Sequence, residues 1–165
     1  MSAILRVSGK KNDIEDFLKD SNLNPYKVFS AGDPVHPQSA PNGRKITKSG
    51  FNISVSDIDF DDYQGQFREA AAFLQEHEDE LRRLVQCPNI DSLNIDFGAD
   101  IYPPGWCSFR FPHELLRLSG NLRINLELSI YPTDSENGKN SGVSKENLDE
   151  AYVEYKAQQE NIENK

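Results

Sequence analysis

The chain has 165 residues, enough for one domain with a single buried core. Its formal net charge of −9, from 18 basic and 27 acidic residues, argues against unassisted binding to nucleic acid or to an anionic membrane, both of which need clustered Lys and Arg. No stretch approaches the roughly 20 apolar residues of a membrane helix, and the two cysteines, Cys87 and Cys107, lack CxxC spacing and are expected as reduced thiols. The opening MSAILRVSGKKNDIEDF has no basic region followed by an apolar stretch and a cleavage site, so the cytoplasm is the expected compartment.

Ala3, Leu5 and Val7 alternate with Ile4, Arg6 and Ser8, the period of a strand with two unlike faces, and Gly9 ends it. Asn12 or Asp13 is placed to cap a short helix with Ile14, Phe17 and Leu18 on one side, and Asn24-Pro25 closes that segment. A second strand is expected over Tyr26 to Ser30. Residues 31 to 45, AGDPVHPQSAPNGRK, are too poor in apolar residues to pack and read as a loop.

Phe51, Ile53 and Val55 alternate with Asn52, Ser54 and Ser56, giving another one-sided strand. From Gln64 to Gln86 the period changes. Phe67, Ala70, Ala71, Leu74, His77, Leu81 and Leu84 follow the three-and-four spacing of one long amphipathic helix, which Cys87-Pro88 closes. Leu93, Ile95 and Phe97 alternate again. In YPPGWCSFRFP, residues 102 to 112, the Pro-Pro-Gly is turn chemistry, after which Cys107, Phe109 and Phe111 share one face of an expected strand and Trp106, Ser108 and Arg110 the other. A short helix fits Pro112 to Leu118, with Pro at its first turn and Gly120 just past its end. The last strand sets Leu122, Ile124, Leu126, Leu128 and Ile130 against Arg123, Asn125, Glu127 and Ser129.

These elements predict an α+β domain over residues 1 to 132: a mainly antiparallel sheet with helices packed on one face, and two strand-helix-strand units flanking one long helix. The other sheet face is expected to be solvated, because strand after strand gives it polar side chains: Arg6, Asn52, Ser54, Asn94, Asp96, Trp106, Ser108, Arg110, Arg123, Asn125 and Glu127. Residues 133 to 165 hold eight acidic and four basic residues, an acidic linker followed by a C-terminal segment. Ser144 is placed to cap a helix there, but its apolar stripe is narrow, and the sequence leaves a helical and a disordered segment both open.

Little in the chain announces a reaction. DIDFDDY sets Asp57, Asp59, Asp61 and Asp62 close together, and the first three have the spacing that opens a calcium loop. The glycine position of such a loop is Asp62 and its closing acid is Arg68, so acids preceding a helix N-terminus explain the run better. His36, His77 and His113 lack ligand spacing, phosphate-binding glycine patterns are absent, and no metal or cofactor is expected. Trp106 with Arg110 on the polar face is the better lead, since Trp and Arg dominate binding energies when desolvated. The competing account packs Trp106 under a loop or against the C-terminal segment.

The runs ILRVSG, FNISVS, AAAFLQEHEDELRRLV and FRFPHELLRLSGNLRINLELSIYP resemble a family of small bacterial domains, domain-of-unknown-function family 4279, over roughly residues 3 to 132. Members often carry Trp in the strand before the long helix, where this chain has Phe51. The resemblance carries over no catalytic residue. It implies a compact α+β domain of the kind found beside bacterial toxin genes as an immunity protein. The expected function is therefore a non-enzymatic protein-binding domain that neutralises a cognate toxin domain, such as a basic nuclease, without contacting nucleic acid or membrane. The contact residues expected are Trp106, Arg110, Asp96, Arg123, Asn125 and Glu127, with Asp57, Asp59, Asp61 and Asp62 as a second acidic patch. Solubility alone explains the acidic surplus equally well. The alternative is a small-ligand or regulatory binding module, with the Pro-rich residues 31 to 45 and the turn at Tyr102 to Gly105 rimming a pocket. A third class, a hydrolase using DIDFDDY with Asp96 or Asp100, needs those carboxylates to converge.

Overall fold

The computed structural model describes residues 1 to 101 and 108 to 132. Residues Met1–Ala99 and Phe109–Tyr131 form one compact unit, described below; of a second unit, Asp100–Ser108 and Pro132–Lys165, only residues 100, 101, 108 and 132 are among those described. Trp106, Cys107 and the whole C-terminal segment lie outside the described residues.

The elements run β1 (Ala3–Gly9), α1 (Lys11–Lys19), β2 (Lys27–Phe29), β3 (Pro34–His36), β4 (Ala40–Lys45), β5 (Ser49–Ser56), α2 (Tyr63–Glu76), α3 (Glu78–Gln86), β6 (Ile90–Ile101), α4 (His113–Asn121) and β7 (Asn125–Pro132). The chain is thus α+β, with a five-stranded sheet in the order β2-β5-β1-β6-β7 and a separate hairpin of β3 and β4. β1 is central and antiparallel to both neighbours, Leu5 facing Ile53 on one side and Ile95 on the other. β2 is antiparallel to β5. β7 runs with β6 instead: Asn94 bonds Glu127 and Asp96 bonds Ser129, so the contacts advance in the same direction along both strands. A parallel neighbour needs a crossover, and α4 supplies it.

One face of the sheet is the core. Leu5, Val7, Phe51, Ile53, Ile95 and Phe97 are buried against Ile14 and Phe17 of α1, Phe67, Ala70 and Leu74 of α2, Leu81 and Leu84 of α3, and Leu115 and Leu118 of α4. Phe67 is its hub, with ring centroids 4.8 Å from Phe97 and 4.6 Å from Phe111. Truncating such a fully buried ring costs about 3–5 kcal/mol.

Four sequence expectations are corrected. The helix foreseen from Gln64 to Gln86 is two helices meeting at His77, although His77 N–H still bonds Phe73 C=O and Leu81 N–H bonds His77 C=O. Glu78, Asp79 and Glu80 occupy the first turn of α3, where the helix dipole favours acids. The apolar stripe continues in phase across the joint, so periodicity could not reveal it. Second, α1 is preceded by Lys10 with no side-chain cap, rather than by Asn12 or Asp13. Third, residues 34 to 45 are exposed apart from half-buried Pro34 and Ala40, as their polarity implies, yet their backbones pair as a hairpin with Pro34 opposite Lys45. Fourth, Ser108 to Phe111 form no strand. The alternation there is real but comes from side-chain packing: Phe109 meets Tyr63 at 5.0 Å and Phe111 meets Phe67, while Ser108 and Arg110 are exposed. No helix among the described residues is long and apolar enough to cross a membrane.

Candidate functional site

The sheet face away from the helices carries the site. Cross-strand register dictates its centre: Arg6 of β1 lies opposite Asn52 of β5 and Asn94 of β6, and Ile4 lies opposite Ser54 and Asp96. Arg6 donates from Nε (3.1 Å) and Nη2 (2.7 Å) to Oδ2 of Asp96, whose residue is only 8% exposed. The other Asp96 oxygen accepts from the Ser129 hydroxyl at 2.7 Å. Beside this triad Asn94 donates to Glu127 Oε2 at 2.7 Å. Charge-assisted bonds of this length hold both partners to one geometry, so the polar centre of the face is preformed.

Aromatic rings frame that centre. Phe29 sits opposite Gly50 on β2, and a Cβ on Gly50 would lie 2.7 Å from its ring. Phe60, in the turn before α2, lies over Gly98, where a Cβ would come within 2.9 Å, and stacks on Tyr131 with ring centroids 5.4 Å apart. A glycine inside a strand marks close approach of another group, and here each makes room for a ring. Tyr26 and Tyr131 remain 44% and 48% exposed. Between Phe29 and the polar centre is a concavity of about 280 Å³ lined by Arg6, Val7, Ser8, Phe29, Asn52, Ser92 and Asn94.

The residues expected at the site divide into groups. Asp96 and Glu127 come together on this face, and Asn125 shares the phase of Glu127 at the start of β7. Arg123 does not join them. It sits in the turn before β7 with φ of 52° and lines a different concavity with Arg82 and Val85 of α3. Arg110 is also elsewhere, because its carbonyl accepts from Gln64 of α2 and so places its backbone on the helix side. Trp106 lies outside the described residues.

The acidic turn is largely structural. Asp62 caps α2 through a 2.8 Å bond from Gly65 N–H, and the Asp59 carbonyl accepts from the Gln66 amide. Asp61 is exposed. The Met1 ammonium, 3.1 Å away, and the Ser54 hydroxyl hold the Asp57 carboxyl below the usual carboxylate range. Asp57 and Asp96 belong to separate neighbourhoods, since Ser54, which holds Asp57, and Asp96 flank Ile4 from opposite sides, two strand spacings or roughly 10 Å apart. Among the described residues no three His, Cys, Asp or Glu side chains are grouped to hold a metal ion.

Sequence reasoning missed Phe29, Phe60 and Tyr131 as members of this face, while Ser129 already stood on the polar phase of the last strand. Gly50 and Gly98, each inside an otherwise regular strand pattern, were the available signal. No family model, curated protein or solved structure matches the chain.

Proposed function

We propose that the chain is a non-enzymatic protein-binding domain that engages its partner through the sheet face away from its helices. The observation that carries this reading is the preformed Arg6–Asp96–Ser129 cluster framed by Phe29, Phe60 and Tyr131. Aromatic rings around a fixed, hydrogen-bonded polar centre suit protein recognition, because little side-chain entropy is lost on docking. The net charge of −9 supports a basic partner, with opposite charge raising association rates and selecting against acidic competitors. On the strength of the family resemblance, the specific form proposed is a bacterial immunity protein acting in the cytoplasm that neutralises a basic toxin domain.

The test is titration calorimetry with the partner co-purified and identified from the native host. Arg6→Ala, Glu127→Ala and Tyr131→Ala should each weaken binding about tenfold or more, as expected where a residue contributes upward of about 1.4 kcal/mol. Unchanged affinity in all three removes the face from consideration. A second reading, a small-ligand module, is favoured by the concavity between Phe29 and Arg6, whose roughly 280 Å³ falls just below the usual range for small-molecule sites. A small molecule from host extract that protects the Asn52 and Asn94 amides would select it.

A further inference from the structure

The sheet has a second feature suited to recognition, on different residues. β2 accompanies β5 only from Gly50 to Asn52, and the last contact is Tyr26 N–H to Asn52 C=O at 3.0 Å. Continuing that register would set Pro25 opposite Ser54, and a proline has no N–H to offer the ladder. β2 therefore stops, and from Ile53 to Ser56 no strand lies beside the outer edge of β5 among the described residues. By the alternation of the ladder, Ser54 turns its backbone N–H and C=O to that edge. The β1 register also skips Val55.

This edge opens onto a groove of about 590 Å³. One wall is Ser54 to Ile58, and the other is the stripe Glu69, Ala72, Phe73 and Glu76 of α2, spaced as one helix face. Its charged side chains are Asp57, Glu69 and Glu76, with no cation among the lining residues. Arg68, adjacent to Glu69, is drawn toward Asp62 at 3.9 Å, and among the described residues only Asp57 of the three has a cation in ion-pair range, the Met1 ammonium. The groove thus offers main-chain bonding groups on one side and an acid–apolar–acid stripe on the other.

We propose that this groove docks an extended basic segment of a partner protein, which adds a sixth strand beside Ile53–Val55, with Ser54 as its main-chain partner; Ser56 C=O is turned the other way, to Ser2 N–H at 2.8 Å. Main-chain hydrogen bonds would supply affinity and the alternate side chains specificity. The side chains facing α2 would be a Lys or Arg toward Glu69, an apolar residue on Ala72 and Phe73, and a second Lys or Arg toward Glu76. An acidic segment is disfavoured by three carboxylates. The proposal uses none of the Arg6–Asp96 face, so either can fail without the other.

The experiment is an NMR titration of the ¹⁵N-labelled full chain with an acetylated, amidated Lys-Thr-Leu-Thr-Lys peptide. Expected are saturable shifts at the amides of Ser54 to Asp57 and along α2 from Glu69 to Glu76, with Kd raised on the order of tenfold in Glu69→Lys/Glu76→Lys. Glu69→Gln/Glu76→Gln gives a milder version of the same loss if charge reversal perturbs the fold. A peptide with N-methylated backbone on the strand-facing side should not bind. The proposal is overturned if the N-methylated peptide binds equally well, if the shifts map to β7 or to Arg6 and Asn94, if Glu in place of both Lys leaves binding intact, or if no saturable shift occurs at millimolar peptide.

Discussion

The Arg6 guanidinium approaches Asp96 with two nitrogens on a single carboxylate oxygen, Oδ2, and leaves Oδ1 to the Ser129 hydroxyl. The pair is lopsided: the Arg6 side chain is 42% exposed and that of Asp96 only 10%. Removing Arg6 strands a shielded anion, whereas removing Asp96 leaves a cation that water reaches. Arg6→Met should therefore destabilise the fold more than Asp96→Asn. Urea unfolding should show about 1–2 kcal/mol for the former, below the cost of breaking a fully buried pair because Arg6 is partly solvated. An equal or reversed order contradicts the account.

Gln66 is fully buried, and its Nε2 spends both protons, one on Gly98 C=O at 2.8 Å and one on Asp59 C=O at 3.2 Å. It ties α2 to β6 and to the preceding turn, while its Oε1 has no hydrogen-bond partner among the described residues. Gln66→Glu keeps the shape but turns a double donor into an acceptor facing two carbonyls. A loss of about 3 kcal/mol or more is expected at neutral pH. The loss should shrink as acid protonates the new carboxyl, and a flat pH profile in chemical denaturation would count against this reading.

The two glycines under aromatic rings should respond differently to alanine. At Gly98 the three atoms nearest the new methyl all belong to the Phe60 ring, a side chain able to swing aside, so Gly98→Ala should cost about 1–2 kcal/mol. In a Phe60→Ala background that cost should disappear, a coupling readable by a double-mutant cycle. At Gly50 the atom nearest the added methyl is the Val7 carbonyl oxygen, which belongs to the backbone of the central strand and cannot swing away. Gly50→Ala should cost more, with no rescue from Phe29→Ala.

Cys87 tests the burial of the α3 terminus. Burial, with a smaller push from the Asp13 charge, raises its thiol pKa, and its Sγ lies 3.4 Å from the Arg83 carbonyl. Because the folded pKa is above the unfolded one, the folded state holds the thiol's proton more tightly. The associated stability is present at neutral pH and is lost as pH rises through and beyond the ordinary thiol range. In a Cys107→Ser background, iodoacetamide at pH 8 should modify the folded chain more slowly than the urea-unfolded chain. Equal rates would refute it.

Much of the architecture was legible because burial writes itself into sequence at fixed periods. Leu5, Phe51, Ile95 and Phe67 each stand in a run whose period matched the element formed. The polar face was readable from the same alternation, which is why Asp96 and Glu127 could be assigned to it. Illegible were events that leave the period unchanged, such as the joint at His77, and those set by backbone direction. Arg123 continued the alternation of β7 on paper, yet its positive φ turns the chain two residues before the strand begins. Phe60 came from a turn, where no periodicity tells which way a ring will fall.

Because β1 is the middle strand and precedes both of its neighbours in the chain, it can be flanked on both sides only after β6 has been made. Its two partners are some 45 and 90 residues downstream by register, so a nascent chain on the ribosome holds Leu5 and Val7 exposed until β6 has cleared the exit tunnel. Formation of the sheet must then wait for loop closures of long span, which slow folding and prolong exposure of sticky surface. The apolar side chains of Ala3–Gly9 are accordingly the part of the core that stays exposed longest before pairing on both sides.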